Sequence, residues 1–445
     1  MNDDYNHNDD RELTMSRTTQ DLTRCYHDVV VIGGGAAGIA VSASLLKRCS
    51  DLDIAIIDPA EMHSYQPGWT LVGGGVFSAG ITRRPMREVV PRKAVRYATH
   101  AQSVDPECGL VTLGDGRQIR YRRLVVAPGL VIDWGAIEGL EETLGENGVT
   151  SNYRYELAPY TWSLVQSLKH GKALFTQPPM PIKCAGAPQK AMYLSCDHWQ
   201  RQGRLKNIDV SFCNAGQVLF GVPDYVPALE GYIEQYGIEK AFGRRLVAVD
   251  GPSRKARFMV SDDQGEYEEE REFDMLHVVP PQHAPAFIAE SGLGNEGGWL
   301  DLNAETLQHA CYPDVFGLGD ASGTPNAKTA AAVRKQAPVV ADNLLASLEE
   351  RPMSAAYQGY GSCPLTVSRG RIVLAEFGYG GALQPTFPRW VNDGTQATRR
   401  AWWLKAKQLP WLYWHGMLKG REWMAHPARR DQQAEPVQAQ TARSR

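Results

Sequence analysis

The chain has 445 residues, a formal charge of −3, eight cysteines and a mean hydropathy of −0.35. That length exceeds a single core and asks for two or three domains. The near-neutral charge excludes a general nucleic-acid binder, and no apolar run is long enough to span a membrane as a helix.

The first twenty residues, MNDDYNHNDDRELTMSRTTQ, are acidic and polar, without the apolar core of a secretory signal. No two cysteines form a C-x-x-C pair, so a zinc site is not expected, and a reducing cytoplasmic setting is. Asp28–Asp58 then reads as strand, glycine turn, helix and second strand. The run Val29 to Ile32 is β-branched, as in a strand buried on both faces. Gly33, Gly35 and Gly38 follow as G-x-G-x-x-G, and Ala36 and Ala37 open the helix. Those glycines allow a tight turn, bring backbone N–H groups to a pyrophosphate, and let helix and strand pack closely. Asp58 ends the second strand twenty residues after Gly38, placed to accept ribose hydroxyls. Alone, the glycine triplet is compatible with any tight α/β turn; in this order the elements point to a dinucleotide.

His63 to Phe77 reads as a loop, with Gln66 and the run Gly73 to Gly75 available to a flat ligand. Residues 95 to 121 alternate around Gly114-Asp115-Gly116, predicting a hairpin layer. Leu124 to Ala127 is a buried strand ending in the turn at Gly129, and both turn residues are candidates for cofactor contact. A second unit follows: strand Ala173 to Thr176, helix Gln189 to Trp199, strand Asp209 to Phe212. Its layout is that of a nicotinamide domain, but Pro178 to Pro188 stands where the glycine loop would be, and proline offers no N–H to a phosphate. Cys184 lies in that stretch, beside Lys183 and close to a helix N-terminus, which favours thiolate over thiol. Cys25, Cys49, Cys108, Cys196, Cys213 and Cys311 read as small buried hydrophobes.

Asp262 to Glu272 reads as a solvated acidic loop. Val315 to Asp320 is a strand ending in Gly319-Asp320, whose acid can take ribityl hydroxyls. Lys328 and Thr329 open an alanine-rich helix running to about Leu345, and its N-terminus suits the negative charge of a reduced flavin. With the N-terminal unit, this predicts flavin adenine dinucleotide, FAD. Beyond Pro352, Cys363 precedes a proline in a loop, and Ile372 to Phe377 reads as a strand. Six of the eleven tryptophans crowd between Trp390 and Trp423, among Arg399, Arg400, Lys405, Lys407, Lys419 and Arg421. Tryptophan and lysine on short helices broken by Pro410 and Gly416 predict an element in a membrane interface; a packed aromatic core is the alternative.

The set HSYQPGWTLVGGG, PIKCAGAPQK, GLGDASGTPNAKTAAA, YGSCPL, AEFGYGGALQPTFP and LPWLYWHGMLKGREW closely resembles the sulfide:quinone oxidoreductases, in their mitochondrial-like branch, over roughly residues 26 to 425. The two cysteine motifs are its specific part. The resemblance implies an α/β fold with two Rossmann-like domains of the FAD/NAD(P)-disulfide-reductase-like kind and a C-terminal membrane-interfacial region. The expected divisions are a disordered extension 1–24, an FAD domain 25–150 with 290–350, a second domain 151–289, a C-terminal region 351–426 and a disordered tail 427–445. It implies a redox pair of Cys184, on the flavin side, and Cys363, which passes sulfane sulfur on. The implied partners are hydrogen sulfide, a quinone such as ubiquinone, and a sulfur acceptor such as glutathione or sulfite; a homo-oligomer stays open. Phe377, Tyr379 and Phe387 are candidates for the quinone wall, with peripheral attachment at the cytoplasmic face of the inner membrane. Some branches carry a third cysteine after the strand at Ala127; here Leu130 to Asp133 hold none, and a three-cysteine mechanism is not expected. A type II NADH:quinone oxidoreductase shares the fold but needs the glycine loop this chain replaces. A flavoprotein subunit working outside the membrane would need an export signal, and a non-enzymatic scaffold would leave both cysteine motifs without a purpose.

Overall fold

The computed structural model describes residues 24–263 and 265–430. Residues 1–23 of the expected extension and most of the expected tail lie outside them, while Arg24 already opens the first strand. A mixed sheet, parallel at its centre and antiparallel at one edge, and a second, parallel sheet build the molecule with their helical cover.

The first sheet grows from β1 (Arg24–Ile32), α1 (Ala36–Arg48) and β2 (Ile54–Ile57), which pair in parallel with Val30 opposite Ala55. Valine and isoleucine alternate into both faces of this sheet, so the run has no polar side. The stretch His63 to Phe77 departs from the loop expectation: it carries the short helix α2 (Trp69–Gly73). Trp69 and Val72 bury against Ala158, which offsets the cost of the glycines. Then come β3 (Val95–Tyr97), β4 (Ala101–Asp105), β5 (Leu110–Leu113) and β6 (Gln118–Val126), giving the order β3-β2-β1-β6-β5-β4.

The second sheet uses β7 (Val149–Thr150), β8 (Gly171–Gln177), α3 (Ala187–Arg201), β9 (Ile208–Asn214) and β10 (Glu239–Phe242). Next, β11 (Arg244–Asp250), β12 (Lys255–Asp262) and β13 (Gly265–Glu272) form an antiparallel sheet. The acidic stretch is therefore a strand and not a loop. Its carboxylates find cross-strand cations, Lys255 with Glu270 at 2.7 Å and Arg257 with Glu268 at 3.8 Å, so the charge run does not repel itself out of the ladder. The strand β14 (Met275–His277) sits between β7 and β8. The chain then returns to the first sheet with β15 (Val315–Gly317), which pairs with β6, and α4 (Ala330–Leu348), which packs on α1.

The last region is shared between both halves. The hairpin of β16 (Gly361–Ser368) and β17 (Arg371–Phe377) buries Cys363, Leu365, Val373 and Ala375 in the core of the second sheet. Cys363 is thus in a strand, opposite Ala375, rather than in a loop; Pro364 is tolerated because a two-stranded ribbon has a free edge. A helical run follows as α5 (Arg399–Trp403), a π-helical turn at Leu404–Gln408 and α6 (Leu409–His415). Pro410 does not break it. The widened turn lies where proline's missing N–H and its ring would disrupt a plain α-helix. Tyr413, Trp414, Met417 and Leu418 enter the core of the first sheet. Ala428–Arg429 pairs with Ala355–Ala356, so the start of the expected tail is held in a ribbon.

Candidate functional site

The glycine turn carries the geometry its spacing predicts. Gly33 has φ +103, and a Cβ there would lie 2.2 Å from the Ala127 carbonyl oxygen; one at Gly38 would lie 1.8 Å from that of Gly33. Gly35 faces open space at the N-terminus of α1, where Ala36 and Ala37 begin the helix. Asp58 accepts the Gly34 N–H at 2.6 Å and the Ala60 N–H at 2.7 Å, which fixes its carboxylate over the turn. Gly129, at φ +80, also faces open space, and Gly319, at φ +83, lies against Ala37. An open anion cradle at a helix N-terminus, walled by glycines that no side chain could replace, fits the pyrophosphate of FAD.

The other end of this surface holds buried charge. Lys328 donates to the carbonyls of Asp320 at 2.9 Å and Ser322 at 2.7 Å and lies 3.9 Å from the centre of the Trp299 ring. Burial lowers its pKa to about 8, against the pull of Asp320. Burial raises the Asp320 carboxyl, which Lys183 and Lys328 oppose. Thr329 caps α4, its hydroxyl accepting from the Ala332 N–H at 3.1 Å. Gln66 accepts from the Lys183 amine at 2.6 Å, linking the region after β2 to the cysteine loop.

The two motif cysteines, 179 positions apart in the chain, meet as free thiols whose sulfurs share a hydrogen bond. Gly186 allows this approach, because a Cβ there would lie 2.3 Å from Leu365 on the strand that carries Cys363. Lys190 reaches back from the first turns of α3 and donates to the Cys184 sulfur at 3.0 Å. The bond from Cys363 and the Lys190 charge hold the Cys184 thiol well below its ordinary range despite burial. That same bond and burial push Cys363 up, so the pair is a thiolate beside a thiol. The Cys184 N–H donates to the Lys328 carbonyl at 2.9 Å, which joins the thiol loop to the region that would face a flavin.

The sequence groups Lys405 with the interfacial cations, but it is only 4% exposed and points inward. It donates to the Pro67 carbonyl at 3.1 Å. Burial and the charge of Lys190 lower its pKa to about 7, while the two cysteines pull it upward. Sequence reasoning missed the parts played by Lys190 and Lys405. The first is visible only as a lysine on the opening turns of a helix, and the second as a lysine four residues after the buried Ala401. Among the described residues, a groove of about 420 Å³ is lined by Phe387, Leu374, Val391, Trp403, Leu404 and Gln408, with Arg399 and Arg400. Of the three candidates for a quinone wall it takes only Phe387. Phe377 packs edge-on to Phe220 at 5.9 Å, and the Tyr379 hydroxyl donates to the Ala304 carbonyl at 2.6 Å.

A glycine-walled dinucleotide cradle, a cysteine pair tied through the Cys184 backbone to Lys328, and a second α/β domain that lacks a glycine loop define a two-domain flavoprotein of the disulfide-reductase class. Residues 27–165 match the family model described as pyridine nucleotide-disulphide oxidoreductase. The mitochondrial sulfide:quinone oxidoreductase of Dictyostelium discoideum is 38% identical over 88% of this chain and 86% of its own. That of Mus musculus is 35% identical over 89% and 87%. The solved sulfide:quinone oxidoreductase of Aquifex aeolicus has the same fold, with a TM-score of 0.73 at 19% identity over 93% of this chain and all of its own. The chain belongs to the sulfide:quinone oxidoreductase family, in its mitochondrial-like branch.

Proposed function

We propose that this protein oxidises hydrogen sulfide to sulfane sulfur at Cys184 and Cys363 and delivers two electrons through FAD to a membrane quinone. The observation that carries the reading is the hydrogen-bonded Cys184–Cys363 pair with Lys190 on its thiolate. When bound, FAD supplies a two-electron acceptor in the cradle of Gly33, Gly35, Gly38 and Asp58, with Lys328 and Thr329 at its other end.

The reaction starts from the disulfide form of the pair. Hydrosulfide attacks the Cys363 sulfur, the S–S bond breaks, Cys363 keeps the new sulfur as a persulfide, and Cys184 leaves as a thiolate. Lys190 stabilises that leaving sulfur. A nucleophilic acceptor such as glutathione or sulfite then takes the outer sulfur and restores the Cys363 thiol. Closing the disulfide again releases two electrons. The Cys184 backbone bond to Lys328 supports Cys184 as the flavin-side member.

The groove beside Phe387 and Leu404 has the volume of a small-ligand site and suits a quinone head arriving from lipid. Trp390, Trp403, Trp411 and Trp423 are exposed by 46 to 85%, and among the described residues no helix is long and apolar enough to cross a membrane. Peripheral attachment by these rings is part of the proposal. The test is an anaerobic titration of the FAD-loaded protein with sulfide or with NADH. Sulfide is expected to bleach the flavin band, decylubiquinone to restore it, and Cys184→Ser to abolish the response. Bleaching by NADH and not by sulfide would replace this reading with an NADH:quinone oxidoreductase.

A further inference from the structure

Cys184 has φ +50, a left-handed conformation that costs a residue other than glycine about 1–2 kcal/mol, so its surroundings must hold it there. Its N–H is taken by the Lys328 carbonyl, and its own carbonyl accepts the Ala187 N–H at 2.7 Å. The Lys183 N–H goes to the Gln282 side chain at 2.8 Å. That leaves the Lys183 carbonyl. The Tyr153 hydroxyl donates to it at 3.0 Å and lies 3.4 Å from the Cys184 carbonyl.

Tyr153 is 5% exposed, and its ring packs with Ile182, Ala187 and Val279. It comes from the loop after β7, so it reaches the cysteine turn from the second sheet. Both carbonyls of the left-handed turn converge on one hydroxyl. Burial and the neighbouring cysteines hold that hydroxyl protonated, which keeps it a donor.

We propose that Tyr153 is a positioning residue: its hydroxyl clamps the Lys183 and Cys184 carbonyls and thereby aims the Cys184 sulfur at Cys363 and Lys190. Without the clamp the turn relaxes toward ordinary backbone angles, and the sulfur swings off both partners. The inference rests on the proposed function for the importance of that sulfur, so its test has one arm that needs no sulfide.

In that arm the cysteine pair of wild-type and Tyr153→Phe holoenzyme is first reduced anaerobically with excess phosphine and desalted, and alkylation of Cys184 by iodoacetamide is then followed by peptide mass spectrometry from pH 5 to 9. The control is Tyr193→Phe, which removes a buried hydroxyl 3.4 Å from the Leu229 carbonyl on the far side of α3. Tyr153→Phe is expected to raise the pH of half-maximal alkylation by about 1 unit, because the sulfur loses its lysine and thiol partners. Tyr193→Phe is expected to leave it unchanged. In the second arm, flavin reduction by sulfide is expected to slow roughly 10- to 100-fold, the cost of a displaced reacting atom, while reoxidation by quinone keeps its rate.

An unchanged alkylation profile overturns the inference. So does a Tyr153→Phe protein that loses FAD and thermal stability while its alkylation profile shifts no more than that of the control, since the hydroxyl would then only satisfy a buried carbonyl. If wild-type flavin is not reduced by sulfide, the proposed function fails, and the alkylation arm still decides the role of Tyr153.

Discussion

At the scale of single residues, two buried lysines divide the electrostatic work. Lys190 sits 3.0 Å from the Cys184 sulfur and, after the bond from Cys363, is the group that most lowers that thiol's pKa. Replacing it with methionine keeps the stem and removes the charge. The pH of half-maximal Cys184 alkylation should then rise by roughly 1–3 units, the usual effect of one opposite charge at contact. A shift below a few tenths would mean that the bond from Cys363 suffices. Lys405 acts on stability. Burial holds its pKa at about 7, against 10.5 for a free lysine. Between those values the unfolded chain binds a proton that the folded chain does not, so stability rises with pH across that window. Below pH 7 both forms are protonated and the penalty is complete. Lys405→Met should therefore raise the melting temperature at pH 6 and flatten its rise toward pH 9. Lys328, at about 8, leaves a residual slope of the same sign. An undiminished rise in the variant would show that Lys405 is not the group involved.

Among the elements, the C-terminal helical run matters most, because it ties the last part of the chain to the glycine turn. His63 is buried, and burial lowers its pKa, so the ring is neutral. Its Nδ1 lies 3.1 Å from the Gly34 carbonyl, which can only accept, so Nδ1 carries the proton. Nε2 must then accept, and the Tyr413 hydroxyl donates to it at 2.6 Å. A residue of α6 thus sets a ring that holds the cofactor turn. Tyr413→Phe removes one buried hydrogen bond worth about 0.5–1.5 kcal/mol. FAD should dissociate roughly 2- to 10-fold more readily, read by the recovery of free flavin fluorescence on dilution. Unchanged retention would detach α6 from the cradle. None of this was legible in the sequence. The cradle itself was, because glycine spacing and β-branched runs are local constraints. The meeting of Cys184 and Cys363 was available only through motif resemblance, since nothing between them encodes their contact. Lys405 was misread for a physical reason: a lysine beside tryptophans looks interfacial until the widened turn shows which way it points.

For the whole molecule, the question is which surface faces lipid. Composition alone gathers six tryptophans into one interfacial element, but the fold divides them. Trp414 is 5% exposed in the core of the first sheet, and Trp402 packs partly against Ile372 and Leu374. Trp390, Trp403 and Trp411 remain exposed at 85, 57 and 53%, with Arg399, Arg400 and Lys407 nearby in the chain. Cutting the chain near Arg389 therefore cannot test membrane attachment cleanly, because it also removes Tyr413, Trp414, Met417 and Leu418 from the core. Replacing Trp390, Trp403 and Trp411 together with serine spares that core. The triple variant should keep its FAD, its melting temperature within a few degrees and its flavin bleaching by sulfide. It should lose most of its co-sedimentation with vesicles of mixed zwitterionic and anionic lipid, and with it the turnover of a long-tailed quinone held in those vesicles. A short-tailed quinone in solution should still reoxidise the flavin, since the groove at Phe387 and Leu404 keeps most of its lining. Full sedimentation by the triple variant would place the lipid contact on another face. Loss of turnover with both quinones would instead make the exposed rings, Trp403 first because it lines the groove, part of the quinone site itself.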